Sequence, residues 1–171
     1  MTTPPSTPEP SPHPTPHPAP HPGIASLAFL LGTWRGEGRG EYPTIEAFTY
    51  TEEVTYAHVG KPFVSYVQRT RSSEGTPLHA EVGYVRPVGS DRAELVIAQP
   101  SGITEVHTGT VAGTRIDFGI EMIGLTPTAK EVTSVARLIR VDGDELSYRL
   151  DMAAVGQPEQ FHLEAVLHRV G

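Results

Sequence analysis

The sequence predicts an all-β protein, a roughly ten-stranded antiparallel up-and-down β-barrel with a short N-terminal helix. Runs rich in Val, Thr, Tyr, Ile and Phe follow one another along most of the chain, and brief Gly, Pro, Asp or Ser segments separate them. One stretch near the N-terminus carries a helical pattern instead. A closed barrel is favoured because it leaves no exposed strand edge, and a two-sheet sandwich is the alternative fold.

The N-terminal segment differs in composition from the rest of the chain. Residues 1–22 contain ten of the seventeen prolines, three histidines and almost no large apolar side chain. Such a segment cannot bury enough surface to offset the entropy lost on ordering, so we expect residues 1–23 to form a disordered Pro/His-rich tail. Residues 24–171 are then the barrel domain, which is long enough to bury a substantial core.

The predicted elements of the domain follow in order after this tail. Apolar residues at positions 24, 27, 28, 30 and 31 fit a short helix that ends at Gly32, and the helix would close one end of the barrel. Tight connections around Gly75, Gly89 and Gly143 indicate hairpins. The predicted strands are 33–41, 46–58, 62–72, 78–87, 92–99, 102–110, 113–121, 129–142, 144–154 and 162–170.

The first predicted strand has a regular glycine pattern within the run 32–45. Gly36, Gly38 and Gly40 alternate, so all three lie on one face of the strand together with Trp34. The missing side chains leave room on that face for a bulky group, and a barrel with such a wall could contain a ligand. The pattern does not indicate dinucleotide binding, because no apolar strand precedes it and no helix signal follows it.

Composition argues against several classes of function. The chain has no cysteine, which excludes disulfides, thiolate metal sites and cysteine nucleophiles and is compatible with a cytoplasmic location. A formal net charge of -7 and a pI of about 5.6 argue against a nucleic-acid partner. No apolar run approaches the roughly 20 residues that cross a bilayer, and the N-terminus has no secretory signal, so no membrane partner is expected.

The common catalytic motifs are not found in the sequence. No His-x-His or His-Glu-x-x-His pair supports a zinc site, and no Gly-x-Ser-x-Gly motif supports a serine hydrolase. Glu52 and Glu53 are adjacent and would face opposite sides of a strand, so we do not expect them to act as a catalytic pair. The residues alone therefore predict a small β-barrel that could hold an apolar ligand. The histidines of the predicted domain are His58, His79, His107, His162 and His168.

Several motifs resemble those of the nitrobindins, a family of small β-barrel haem proteins. The first is Gly-x-Trp-x-Gly-x-Gly-x-Gly-x-Tyr-Pro-Thr-Ile at 32–45. The motifs recur in order from about Leu27 to the C-terminus, so the resemblance covers nearly the whole predicted domain. The others are Glu-Glu-Val at 52–54, His-Val-Gly-Lys-Pro at 58–62, Pro-Leu-His-Ala-Glu-Val-Gly-Tyr at 77–84, Ser-Gly-Ile-Thr-Glu at 101–105, Ala-Lys-Glu-Val at 129–132 and Gln-Pro-Glu-Gln-Phe-His-Leu at 157–163.

The resemblance implies a haem-dependent enzyme. One ferric haem b per chain would lie in the mouth of the barrel, and the protein would isomerise peroxynitrite to nitrate, bind nitric oxide and act in detoxification of reactive nitrogen species. Its partners would be these small molecules. By resemblance, His162 is the axial iron ligand, His79 lies on the distal side of the haem, Thr44 contacts the haem and Lys130 lies beside a propionate. The catalytic residues would be His162 and His79.

Strand alternation creates a difficulty for the axial ligand. Phe161 and Leu163 share one face of a regular strand, so His162 would lie on the opposite, polar face. An irregular turn at 158–162, or a haem at the rim of the barrel, would resolve the difficulty. His168 is the rival ligand, although its place near the C-terminus favours a solvated strand end. His58 and His107 are expected to be structural or surface residues.

Other functions are compatible with the same barrel. It could be a non-enzymatic carrier or sensor of nitric oxide, or a haem-free carrier that resembles fatty-acid-binding proteins. The proline-rich tail could also serve as an interaction module. A homodimer is compatible with an acidic barrel that has apolar residues on its outer face, but no residue pattern fixes it.

Overall fold

The computed structural model describes residues 18–170, and ten strands in this range form a closed antiparallel barrel. Each strand pairs with the next one along the chain, and the last strand pairs with the first. The predicted up-and-down barrel is confirmed, and the two-sheet sandwich is excluded. The strands are β1 (Gly32–Tyr42), β2 (Ile45–Ala57), β3 (Val64–Arg71), β4 (Pro77–Val88), β5 (Arg92–Ala98), β6 (Ile103–Ala112), β7 (Arg115–Leu125), β8 (Val132–Asp142), β9 (Glu145–Ala154) and β10 (Gln160–Val170).

Most strand boundaries agree closely with those predicted from the sequence. The largest differences lie around the connection between β7 and β8. Strand β7 extends to Leu125 instead of residue 121, and β8 begins at Val132 instead of residue 129. The backbone N–H of Ala129 donates to the carbonyl of Thr126 at 3.0 Å, so this segment forms a turn and not the start of a strand.

A 3₁₀ helix, Pro22–Leu30, closes one end of the barrel, as the sequence predicts. Its side chains of Ile24, Leu27 and Leu30 are buried. The indole N–H of Trp34 at the start of β1 donates to the carbonyl of Leu30 at 2.8 Å. Apolar burial and this hydrogen bond therefore fix the helix to the first strand.

The helix begins two residues before the predicted segment 24–31. The Nδ1 atom of His21 accepts a hydrogen bond from the N–H of Gly23 at 2.9 Å, and Pro22 occupies the first position of the helix. A capping side chain followed by proline favours a helix start at this point. Residues 1–17 of the predicted tail lie outside the described residues.

The opposite end of the barrel is bounded by loops, and we call it the mouth. Because the strands run up and down, the C-terminal ends of odd-numbered strands and the N-terminal ends of even-numbered strands meet there. No helix covers the mouth within residues 18–170. The loops of the mouth are 43–44, 72–76, 99–102, 126–131 and 155–159.

The glycine face of β1 points into the barrel, as predicted. Trp34 and Gly40 are buried on this face, whereas Arg35 and Arg39 between them are exposed. A side chain at Gly38 would overlap the ring of Tyr50, and one at Gly40 would overlap the ring of Phe48. The bulky groups beside these glycines are therefore aromatic rings of the chain itself.

The wall of the barrel is only partly hydrogen-bonded between β7 and β8. These strands pair over Arg115–Gly119 on one side and 136–140 on the other, although β7 continues to Leu125 towards the mouth. Beyond the paired region, Ile123 packs against a cluster that includes Val132 and Val135. Side-chain packing therefore closes this part of the wall in place of backbone hydrogen bonds.

Candidate functional site at the mouth of the barrel

The fold brings the four predicted site residues to the same end of the barrel. Thr44 lies in the β1–β2 turn, and Lys130 lies in the β7–β8 loop. His79 is the third residue of β4, and His162 is the third residue of β10. Residues that are more than a hundred positions apart in the sequence therefore share the mouth.

A β-bulge determines the direction of His162. In the pairing of β10 with β9, Phe161 lies opposite Asp151 and Leu163 lies opposite Leu150, so His162 is an extra residue without an opposite partner. Phe161 points outward, because Arg39 stacks on its ring at 5.0 Å. Leu163 packs against the buried core.

The bulge resolves the difficulty that strict alternation raises for His162, and it is an irregularity close to the predicted turn at 158–162. An extra residue at His162 lets both His162 and Leu163 face inward, whereas regular pleating would allow only one of them to do so. The signal for this bulge lies in the pairing with β9 and not in β10 itself. The polar-face placement of His162 would hold only for a regular strand.

The ring of His162 is held by its surroundings. Its Nδ1 atom lies 3.2 Å from the backbone carbonyl oxygen of Glu41, and the ring of Tyr42 meets it edge-on with centroids 5.3 Å apart. A carbonyl only accepts, so Nδ1 carries the proton and the lone pair of Nε2 is free. Burial lowers the pKa of His162, the hydrogen bond to Glu41 partly opposes this, and the charge of His79 lowers it further. A half-buried, neutral imidazole with a fixed tautomer results.

His168 does not share this environment. It lies opposite Glu145 and Arg35 near the helix-covered end of the barrel, and its side chain is exposed on the outer face. The structure therefore places the rival ligand away from the mouth, in agreement with a solvated strand end.

His79 connects the mouth to a buried polar layer beneath it. Its Nε2 atom lies 3.4 Å from an Oε1 atom of Glu81, and about a third of its side chain is exposed. Glu81 accepts two hydrogen bonds from the guanidinium of Arg137, at 3.0 and 2.8 Å. The phenol of Tyr66 also donates to Glu81 at 2.8 Å.

The same layer continues towards β6. Arg137 donates to Glu105 at 2.9 Å, and Glu105 lies 2.8 Å from Nε2 of the fully buried His107. Burial alone would raise the pKa of Glu105, but the charge of Arg137 outweighs it and lowers the pKa. His107 is thus a structural residue, as expected. Glu81, Glu105 and Arg137 are not among the residues predicted from the sequence.

A second polar group lies deeper in the barrel, around Glu52. Gln68 and Tyr148 donate to its carboxylate at 3.0 and 2.7 Å. Burial raises the pKa of Glu52 to about 7, and these hydrogen bonds only partly oppose that effect. Glu53 faces outward and pairs with Arg35. The adjacent carboxylates therefore point to opposite sides of β2, as predicted.

Apolar side chains surround the histidines at the mouth. The inward-facing side chains of Phe48, Ile123, Met152 and Leu163 pack against the core but are only partly buried. Apolar surface therefore remains accessible to a ligand, as is typical of binding sites for small molecules and cofactors.

A pocket of about 510 Å³ lies on the outer side of the rim. Ile45 and Ala47 in its lining are exposed, and the ring of Phe161 stacks with the outward-facing Arg39. The candidate site is therefore the mouth and not this pocket, whose lining includes neither His162 nor His79. The lining residues are Glu41, Tyr42, Pro43, Ile45, Ala47, Gln160 and Phe161.

Thr44 and Lys130 lie at the rim without a direct link to the histidines. Both side chains are exposed. Within residues 18–170, no hydrogen bond or ion pair joins either of them to His162 or His79. They are placed where a ligand that fills the mouth would reach the solvent.

The donor set at the mouth suits a cofactor better than a bare metal ion. Among the described residues, no group of three or more His, Asp or Glu side chains is arranged to hold a metal. A single imidazole with Nδ1 held by a carbonyl and Nε2 free is the arrangement that proteins use to present one ligand to a metal. The residues present therefore fit a metal cofactor that brings its other ligands with it, as haem does.

Comparison with known proteins identifies relatives of the chain. Residues 23–169 match the family model "THAP4-like, heme-binding beta-barrel domain". A protein of Mycolicibacterium paratuberculosis named "Peroxynitrite isomerase 1" is 58% identical over 151 residues, which cover 85% of this chain and 94% of the relative. The protein of the same name from Mycobacterium tuberculosis is 54% identical over 154 residues, which again cover 85% of this chain and 94% of the relative.

A solved structure supports the same relationship. The crystal structure of Rv2717c from M. tuberculosis superimposes with a TM-score of 0.83 at 54% sequence identity. The match covers 89% of this chain and 99% of the other. None of the helices in the described part of the chain is long and apolar enough to cross a membrane.

Proposed function

Because the chain belongs to the family of THAP4-like, heme-binding beta-barrel domains, we propose that it is a haem-dependent enzyme that isomerises peroxynitrite to nitrate. The observation that carries this proposal is the half-buried His162, whose bulge turns it inward and whose Nδ1 is held by the carbonyl of Glu41. The names of relatives that share more than half of its residues support the reaction.

The residues of the mouth suit one haem b per chain. We propose that Nε2 of His162 is the axial ligand, that Thr44 contacts the haem and that the ammonium of Lys130 pairs with a propionate at the rim. The half-buried Phe48, Ile123 and Met152 would pack on the macrocycle. When bound there, a ferric haem would supply a Lewis acid for the peroxynitrite anion.

The chain's own residues then prepare the reaction. Glu41 fixes the tautomer of His162, which keeps Nε2 deprotonated and aimed into the mouth. His79 is proposed as the second catalytic residue, because its ring faces the mouth and can exchange a proton with a bound ligand. The apolar side chains around the mouth would shield a bound substrate from water.

A product assay tests the proposed reaction. The protein loaded with ferric haem is expected to accelerate the decay of peroxynitrite and to raise the share that ends as nitrate instead of nitrite. The matched control is the same preparation before haem is added. Equal decay rates and equal nitrate yields in the two samples would refute the proposal.

A second candidate function uses the same site. A mouth in which His162 presents a single imidazole would also suit a haem that carries nitric oxide, so a carrier or sensor is supported by the same geometry. A haem-free lipid carrier has less support, because the ionic side chains of Glu81, Glu105 and Arg137 fill the barrel beneath the mouth. A stable complex with nitric oxide and no effect on peroxynitrite would favour the carrier.

We propose a cytoplasmic enzyme that detoxifies reactive nitrogen species and has no nucleic-acid or membrane partner. A homodimer would use the exposed Val82, Tyr84 and Val96 on the outer face of β4 and β5. Sedimentation of the wild type and a Tyr84→Glu variant tests the dimer, and a wild-type monomer would exclude it. Residues 1–20 are proposed to be a tether that the barrel does not need, whereas His21, Pro22 and Gly23 form the start of the helix.

A further inference from the structure

The buried ionic layer beneath the mouth reaches the site through one side chain. Glu81, Glu105 and Arg137 come from three different strands, and each of their side chains is less than a tenth exposed. His79, with about a third of its side chain exposed, is in contact with Glu81 and faces the mouth. The layer and the mouth therefore meet at the pair of His79 and Glu81.

The carboxylate of Glu81 is fixed by strong partners. Arg137 binds it through two nitrogen atoms, and Tyr66 donates to Oε2. Burial alone would raise the pKa of Glu81, but the charge of Arg137 and the hydrogen bond from His79 lower it instead. Glu81 is therefore a rigid carboxylate that only accepts hydrogen bonds.

A fixed acceptor determines which nitrogen of His79 carries the proton. The contact of 3.4 Å between Nε2 and Oε1 of Glu81 requires a proton on Nε2. In the neutral ring, Nδ1 then has a free lone pair. The strand itself is fixed nearby, because the backbone N–H of His79 donates to Oγ1 of Thr70 at 3.0 Å.

We propose that Glu81 is a positioning residue that holds the proton of His79 on Nε2 and so presents Nδ1 to the mouth as a proton acceptor. The ligand class is a protonated weak oxyacid, and this inference rests on the proposed function, for which the acid is peroxynitrous acid. Its O–H bond breaks, an N–H bond forms at Nδ1, and the peroxynitrite anion remains beside the imidazolium. No electron is transferred in this step.

Other charged groups surround His79. Arg137 on β8 and Glu105 on β6 are joined to it through Glu81, and His162 on β10 interacts with it electrostatically. Gln99 also contacts Oε1 of Glu81, at 3.4 Å. Of these groups, Glu81 alone accepts a hydrogen bond from the His79 ring within residues 18–170. Tyr66 donates to Glu81 as well, and the other buried titratable groups of these layers are His107 and Glu52.

Two matched variants separate positioning from general stability. Glu81→Gln and Glu105→Gln each remove one carboxylate from Arg137, so each leaves one carboxylate opposite the guanidinium. Only Glu81→Gln removes the partner of His79. Circular dichroism establishes that both variants are folded before any comparison.

Two measurements are made on each variant. Ring ¹⁵N NMR of His79 reports its tautomer without substrate, and stopped-flow decay of peroxynitrite reports the rate of the haem-loaded protein. A carboxylate that holds the tautomer of a catalytic histidine can contribute on the order of 10⁴-fold to a rate. Because the contact here is long, we expect Glu81→Gln to lower the rate only about tenfold and to produce mixed tautomers. Glu105→Gln should keep the decay rate and the His79 tautomer of the wild type.

The outcomes are distinct. The proposal is overturned if His79 keeps a single Nε2–H tautomer in Glu81→Gln, or if the decay rate falls to the same extent in both variants. A wild-type protein without isomerase activity would refute the proposed function, whereas the NMR measurement would still decide the tautomer. Glu81→Asp gives a second test that preserves the charge near Arg137. It withdraws the carboxylate from His79, so mixed tautomers are expected there too, and a wild-type spectrum would contradict the positioning role.

Discussion

Replacement of Glu52 by glutamine should stabilise the protein at alkaline pH. The pKa of Glu52 is raised from 4.5 to about 7 by burial, despite the hydrogen bonds from Gln68 and Tyr148. The folded state therefore binds its proton more tightly than the unfolded state, and the free energy of unfolding falls as the pH rises from about 4.5 through about 7. A shift of this size corresponds to about 3 kcal/mol.

The amide of a glutamine removes this ionisation and still accepts the hydrogen bond from Tyr148. We expect Glu52→Gln to raise the free energy of unfolding by up to about 3 kcal/mol near pH 8.5 and to have little effect near pH 4. The assay is urea unfolding at both pH values, followed by the fluorescence of the buried Trp34. Glu53→Gln is the matched control, because its carboxylate lies on the outer face beside Arg35, and this substitution should not produce the same pH-dependent gain. A Glu52→Gln protein that is less stable than the wild type at alkaline pH would show that ionisation of the buried Glu52 carboxyl does not destabilise the fold.

Two further predictions concern the packing that supports the mouth. Gly38→Ala should lower the free energy of unfolding by about 1–3 kcal/mol, because the added methyl group overlaps the Tyr50 ring. Gly119→Ala is the control and should lower it little, because the space around Gly119 is open. Equal decreases of the two variants in thermal unfolding would contradict this prediction. Tyr42→Phe should lower the free energy of unfolding, measured in urea, by about 1–3 kcal/mol. The N–H of Ala154 donates to the Tyr42 hydroxyl at 2.8 Å and loses this acceptor in the variant. An unchanged midpoint would show that this hydrogen bond contributes nothing.

The fold could be predicted from the sequence because its signals are local. Alternating strands and glycine-containing turns indicated an up-and-down barrel, and the parity of Trp34 and Gly38 identified the inward face of β1. The group that fills the space beside Gly38 could not be predicted, because Tyr50 reaches it from the neighbouring strand.

The site could be predicted only in part. His162 and His79 were indicated by resemblance, but the inward direction of His162 depends on a bulge that is set by the pairing with β9. Glu81 and Arg137 were missed because they are 56 positions apart in the sequence and meet only across the closed barrel. The sequence did contain one signal for Glu81. It is an even number of positions from the apolar Val85 in the same strand, so both side chains face the inside of the barrel.

The absorption spectrum of haem-loaded protein shows whether His162 binds the iron. We expect His162→Ala to lose haem affinity and the ferric spectrum of the wild type, because the chain then offers no imidazole Nε2 at this position. His168→Ala, altered on the outer face near the helix-covered end, should keep both. Full haem content and an unchanged ferric spectrum in His162→Ala would contradict the assignment of His162 as the axial ligand.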